Sequence, residues 1–149
     1  MNLIFSLELS KLQDLSQVVN LMKPFLKPRT LILLDGELGA GKTTLTRELL
    51  KSCGYDHATS PTYALHHHYD LTLDSENLDV EHLDLYRLEN EDQIESSGFW
   101  DLFQSRAQSL ILVEWADRVS IDQWPLDWKR YRIKITKNEI DRTYQFYNF

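Results

Sequence analysis

Residues Thr30 to Cys53, TLILLDGELGAGKTTLTRELLKSC, decide how the rest of the chain is read. Leu31, Ile32, Leu33 and Leu34 form the short continuous apolar run of a buried parallel strand, and Leu45, Leu49, Leu50 and Cys53 recur at helical spacing until Gly54 stops the helix. Between strand and helix, Gly36, Gly41, Lys42 and Thr43 satisfy G-x-x-x-x-G-K-[ST]. In that loop, backbone N–H groups and a helix start cradle a polyphosphate. ATP, and ADP after hydrolysis, is therefore expected on Glu37, Leu38, Gly39, Ala40, Gly41, Lys42, Thr43 and Thr44. Lys42 would reach the β- and γ-phosphates and the Thr43 hydroxyl would ligate Mg²⁺. The fold expected is α/β: a P-loop NTPase-like three-layer sandwich whose mixed central sheet carries antiparallel additions, as a single domain over 1–149.

Bulk properties narrow the chemistry. At 149 residues the chain has room for one core and little for extra modules. Asp and Glu number 23 against 16 Lys and Arg, a formal charge of −7, which disfavours strong direct binding to a nucleic-acid backbone. Cys53 is the only cysteine, so no intrachain disulfide and no Cys-based zinc site is possible, and a reducing cytoplasm fits. The N-terminus lacks a basic stretch before its apolar residues, and no apolar run reaches membrane-spanning length; a soluble, unprocessed chain with no membrane contact is expected.

Outward from the central stretch, Phe5, Leu7 and Leu9 alternate with polar residues as a first strand. Ser10 and Gln13 then read as a capping box, and Leu12, Leu15, Val18, Val19, Met22 and Leu26 as one apolar helical stripe. Ser60 to Tyr63, SPTY, suggests a bent extended segment in which Thr62 either contacts a phosphate or its water or simply bonds its own turn. His66, His67 and His68 invite a metal reading. On a strand, however, only His66 and His68 share a side, so the strand reading is preferred. Asp74 to Asn77 reads as a hairpin tip and Leu78 to Leu85 as the return strand, with Val80, His82, Asp84 and Tyr86 on one face. Asp84 within an apolar segment needs a partner: Mg²⁺, an attacking water, or Arg87.

Asn90 and Gln93 suggest a further capped helix ending near Gly98, followed by Phe99, Trp100 and Phe103, read as core or partner surface rather than a stacking platform. Leu110 to Val113 is a second buried strand ending on Glu114 and Trp115. Ligands bind outside the carboxyl ends of parallel strands, so Glu114 is expected to act on the metal, directly or through water. The C-terminal residues read as an antiparallel hairpin closing the sheet edge, with Lys129, Arg130, Arg132 and Lys134 as either its solvated face or a contact for RNA or an acidic partner.

GELGAGKTTLTREL, SPTY, HLDLYRL and LILVEWADR, in this order, resemble the bacterial TsaE family, the ATPase component of tRNA threonylcarbamoyladenosine biosynthesis. The resemblance spans nearly the whole chain and is weakest in the C-terminal hairpin. It implies an ATP-hydrolysing partner of TsaB and TsaD, touching tRNA through that complex. It also implies Lys42 and Thr43 on phosphate and Mg²⁺, Asp84 positioning or activating water, Glu114 as the metal-side carboxylate, and Trp115 near the nucleotide or the partner interface. Two other readings use the same loop. A small nucleoside or metabolite kinase would recast Asp84 and Arg87 as acceptor-site residues, and a nucleotide-gated binding module would use hydrolysis only to reset an interface. Since no arginine finger is evident near the loop in sequence, slow intrinsic turnover that accelerates with partners is expected.

Overall fold

The computed structural model describes residues 1–56 and 66–149. Its centre is β2 (Thr30–Asp35), buried along its whole length because its side chains are wanted on both faces of the sheet. Parallel to it on one side runs β5 (Leu110–Glu114), and on the other β6 (Lys129–Lys137); β4 (Glu76–Asp84) pairs parallel with β5. Antiparallel strands extend this core: β3 (His66–Leu73) beside β4, then β7 (Arg142–Asn148) beside β6, and β1 (Asn2–Leu9) beside β7. The order is β1-β7-β6-β2-β5-β4-β3, a mixed sheet with antiparallel additions at both sides.

Apolar residues cover both faces. On one, Leu15, Val18, Val19 and Met22 of α1 (Leu15–Met22) and Leu45 and Leu49 of α2 (Lys42–Ser52) pack on Ile32, Leu34 and Leu112. On the other, Leu31, Leu33, Ile111 and Val113 meet Phe99, Phe103 and Trp124 beside the short helices α3 (Glu91–Ser96) and α4 (Leu102–Ser105). The aromatic rings there sit edge to face, Phe99 at 5.6 Å from Phe103 and 5.8 Å from Trp124, so the expected core role of Phe99 and Phe103 holds. Among the described residues no helix is long and apolar enough to cross a membrane.

Several local expectations are met by chemistry. Asn90 Oδ1 accepts the Gln93 N–H at 2.9 Å and caps α3, and Gly54 at φ +88° follows the end of α2. The hairpin β3–β4 turns through Asp74 and Ser75, both at positive φ, the conformation whose twist matches that of paired strands.

Other expectations are corrected. Ser10 and Gln13 form no capping box: Leu12–Asp14 is a 3₁₀ turn, α1 starts only at Leu15, and no side chain caps either start. Leu12 leaves the apolar stripe and is 47 % exposed, because the helix begins where Leu15, Val18 and Val19 can reach the sheet. The C-terminal hairpin does not close the sheet edge; β1 does, and β6 instead lies next to β2. Nor are the basic residues of β6 one free solvated face. Arg132 is paired with Asp35 and Arg130 donates to the Trp124 carbonyl at 3.4 Å, while Lys129 and Lys134 are exposed.

Candidate functional site

The parallel strands β2, β5 and β4 end side by side, and their carboxyl ends frame a cleft of about 300 Å³. The Gly36–Gly41 loop follows β2 and turns into α2 through Gly41 at φ +108°, a left-handed position that favours glycine. Gly36 is needed for a different reason. A Cβ there would stand 2.8 Å from the Ile135 carbonyl oxygen and 2.9 Å from Ala40 Cβ. The loop is thus pressed against β6 on one side and open to the cleft on the other.

Lys42, the first residue of α2, is 5 % exposed; its Nζ donates to the carbonyls of Gly36 at 2.5 Å and Glu37 at 3.0 Å. The ammonium also sits 4.0 Å from the centroid of the Trp115 ring. Burial pushes its pKa below the usual lysine range, and Glu114, Asp117, Asp84 and Asp35 around it pull partly back. One buried cation among four carboxylates is a place where charge is held ready for a ligand.

Thr43 Oγ1 donates to Glu114 Oε2 at 2.9 Å, so the loop hydroxyl and the acid that ends β5 meet across 71 residues of sequence. Glu114 is 2 % exposed, and its other oxygen, Oε1, is 2.8 Å from His82 Nε2. Asp84 pairs in register with Glu114, lines the same cleft, and accepts the Tyr86 N–H on Oδ1 at 2.9 Å. Trp115 adopts φ +58°, left-handed backbone that a bulky residue rarely takes, and its ring packs against Tyr86 at 4.9 Å as well as against Lys42. Strained backbone directly after Glu114 turns the Trp115 ring over the loop lysine.

Of the residues singled out in the sequence, Leu38, Gly39, Gly41, Lys42, Thr43 and Thr44 line the cleft with Asp84, Glu114 and Trp115. Glu37 and Ala40 shape the loop instead, through their carbonyls and the Ala40 N–H bond to Glu37 at 3.0 Å. Arg87 is exposed and is not part of that lining. Thr62 and the SPTY segment lie outside the described residues.

Three contributors were missed. His82 stands two residues before Asp84 on the same strand face, a signal the period-2 pattern carried. Tyr86 supports Trp115. Arg142, at the start of β7, donates from Nε to the Ala40 carbonyl at 2.9 Å, and with Leu12 and Leu38 it lines one end of the cleft. An arginine distant in sequence thus reaches the loop backbone, and nothing in the sequence pairs residue 142 with residue 40. A larger cavity of about 590 Å³ lies between Asp35, Gly36 and the β6 side chains Arg132 and Lys134. It is not lined by Thr43, Asp84 or Glu114, which all line the smaller cleft.

The histidine run behaves as a strand. His66 and His68 project to one side and both bond the fully buried Glu81, with His68 Nδ1 at 2.7 Å, while His67 Nδ1 is 3.2 Å from the Tyr69 hydroxyl. His68 also meets Asp70, and these two with Asp79 offer ligand atoms within 4.8 Å of one another, all three exposed.

Comparison with known proteins supplies the family. The chain is 36 % identical over 99 residues to the tRNA threonylcarbamoyladenosine biosynthesis protein TsaE of Haemophilus influenzae, covering 66 % of this chain and 59 % of that one. Against TsaE of Rickettsia felis it is 36 % identical over 107 residues, 70 % of this chain and 58 % of the relative. Against TsaE of Bacillus subtilis it is 32 % identical over 123 residues, 82 % and 72 % respectively. The matches thus span less than two thirds of the first two relatives. The crystal structure of Bacillus subtilis YdiB superimposes with a TM-score of 0.69 at 25 % identity, over 95 % of this chain and 83 % of YdiB. The model of the threonylcarbamoyl adenosine biosynthesis protein TsaE family matches residues 9–144, and the chain belongs to that family.

Proposed function

We propose that this chain is a P-loop, Mg²⁺-dependent ATPase of the tRNA threonylcarbamoyladenosine system, acting in the cytoplasm with TsaB- and TsaD-type proteins and meeting tRNA through them. The observation that carries the reading is the Thr43–Glu114 contact of 2.9 Å beside a glycine-rich loop with a buried lysine at its helix start. Phosphates fit over the loop, where Lys42 would exchange the carbonyls of Gly36 and Glu37 for phosphate oxygens. The donor set suits Mg²⁺: a hydroxyl and a carboxylate are hard oxygen ligands, few in number, as expected of a metal that keeps water and phosphate in its shell. Thr43 and Glu114 would hold it, and bound there it would neutralise charge on the phosphates as a Lewis acid. Asp84, 3 % exposed and accepting the Tyr86 N–H, would orient a water against the phosphate. At the other end, the exposed Leu12 and Leu38 and the Arg142 guanidinium offer apolar and cationic surface for a nucleobase. Family membership and the tRNA-modification names of the relatives support the pathway.

The test is phosphate release from Mg-ATP by the chain alone and with a TsaB and TsaD pair plus tRNA. Partner-dependent stimulation is expected. Transfer of phosphate to an added nucleoside or metabolite without stimulation would favour a kinase, and tight ATP-dependent complex formation without stimulated turnover would favour a nucleotide-gated module.

A further inference from the structure

His82 is 1 % exposed and sits on the face of β4 that carries Val80, the face against which α1 and α2 pack. Its Nε2 lies 2.8 Å from Glu114 Oε1, while Glu114 Oε2 takes the Thr43 hydroxyl at 2.9 Å. Two hydrogen bonds to different oxygens fix the rotation of a carboxylate as well as its position. An ionised carboxylate only accepts, so the proton of a neutral His82 must be on Nε2. Nδ1 is buried and has no hydrogen-bond partner among the described residues. A proton there would leave a buried N–H donor unmatched, and the opposite tautomer would set two lone pairs against each other at Nε2 and Oε1.

We infer that His82 is a positioning residue for Glu114: its Nε2–H holds Oε1, so that Oε2 stays turned to Thr43. Its functional consequence rests on the metal-binding reading above; the hydrogen bond itself does not. The arrangement matches the way outer hydrogen bonds orient a metal-side ligand, where loss of the outer partner costs about 10–100-fold in metal affinity or activity. Without it, the carboxylate could swing toward the Lys42 ammonium and leave Thr43 unpaired.

The first measurement needs neither variant nor ligand. Imidazole ¹⁵N NMR of the wild-type chain is expected to show a proton on His82 Nε2; a ring protonated at Nδ1 alone would overturn the inference. The second compares His82→Gln, whose amide reaches the Nε2 position, with His82→Asn, whose amide falls at Nδ1. The glutamine variant is expected to keep Mg-ATP turnover within about threefold of wild type. The asparagine variant should lower kcat and Mg²⁺ affinity about 10–100-fold with KM for ATP nearly unchanged. Equal turnover in the two at matched Tm would reduce His82 to packing and overturn the inference. A wild-type chain that hydrolyses no ATP, with or without partners, would overturn the nucleotide reading alone, and the tautomer would still decide the His82–Glu114 bond.

Discussion

Two buried glutamates on neighbouring strands are each met by histidine, on opposite faces of one sheet, and they are bonded differently. Glu81 of β4 is saturated: His66 bonds Oε2, and His68 with Arg106, at 2.7 and 3.4 Å, shares Oε1. Glu114 of β5 has one oxygen on His82 and lends the other to a threonine hydroxyl at the rim of a cleft. The first carboxylate has nitrogen partners on both oxygens and does not line the cleft. The second takes a hydroxyl that itself lines the cleft, where the proposed phosphate and metal would sit. Burial and histidine pairing are common to both acids; what separates them is that only Glu114 lines the cleft, and on this the proposed role of Glu114 depends.

The comparison can be broken by exchanging the charge at each site. Glu114→Gln keeps the shape and removes the anion, and Mg-ATP turnover is expected to fall at least about 100-fold, the upper end for loss of a metal-orienting contact. Glu81→Gln should leave turnover within about twofold but cost about 1.5–3 kcal/mol through its charge-assisted hydrogen bonds, read as a fall in Tm of roughly 4–10 °C for a chain of this size. A loss of turnover in Glu81→Gln at a temperature where it is folded would erase the distinction.

A smaller effect sharpens it. Burial opposes protonation of His68, but its hydrogen bonds to Glu81 and Asp70 outweigh that and hold its pKa above the ordinary 6.5. For Glu81, burial is likewise outweighed by His66 and His68, which hold the carboxyl below the ordinary 4.5. A raised histidine gives stability that is complete below its unfolded pKa and is lost as pH rises through the folded one; a depressed carboxyl gives stability lost as pH falls through its folded value. Tm should accordingly decline as pH rises above 6.5, and His68→Gln should flatten that alkaline slope. An unchanged slope would mean that the β3–β4 pairing does not depend on the imidazolium. The smallest change is expected from Leu38→Ser: at 73 % exposure it should leave Tm within about 1 °C. ADP affinity should weaken a few-fold while tripolyphosphate affinity holds, and equal weakening of both would move Leu38 from the base to the phosphates.

The strand–loop–helix unit was legible because each part carries its own local signal: a continuous apolar run, glycines at required positions, and helical spacing after Lys42. Asp84 and Glu114 were legible for a related reason, since an acid at the end of an apolar strand must find a partner. The capping box at Ser10 misled because its hydrogen bonds compete weakly with the burial of Leu15, Val18 and Val19, which sets where α1 begins. The place of the C-terminal hairpin was illegible because β6 and β1 have similar alternating patterns. Which of them reaches β2 depends on pairing across the sheet, not on either strand alone.

By itself, then, the sequence determined what is local in the chain: the α/β class, the loop with Lys42 and Thr43, the acids that end β4 and β5, and the strand that carries the histidine run. The tertiary structure alone decided which of these groups meet. His82 reaches Glu114 only because β4 lies parallel to β5, and Arg142 reaches Ala40 only because β6 lies beside β2 and β7 beside β6. Propensity and periodicity act over a few residues. A hydrogen bond between positions 32 or 102 apart is fixed by the packing of whole strands, driven by apolar burial that has no memory of sequence distance.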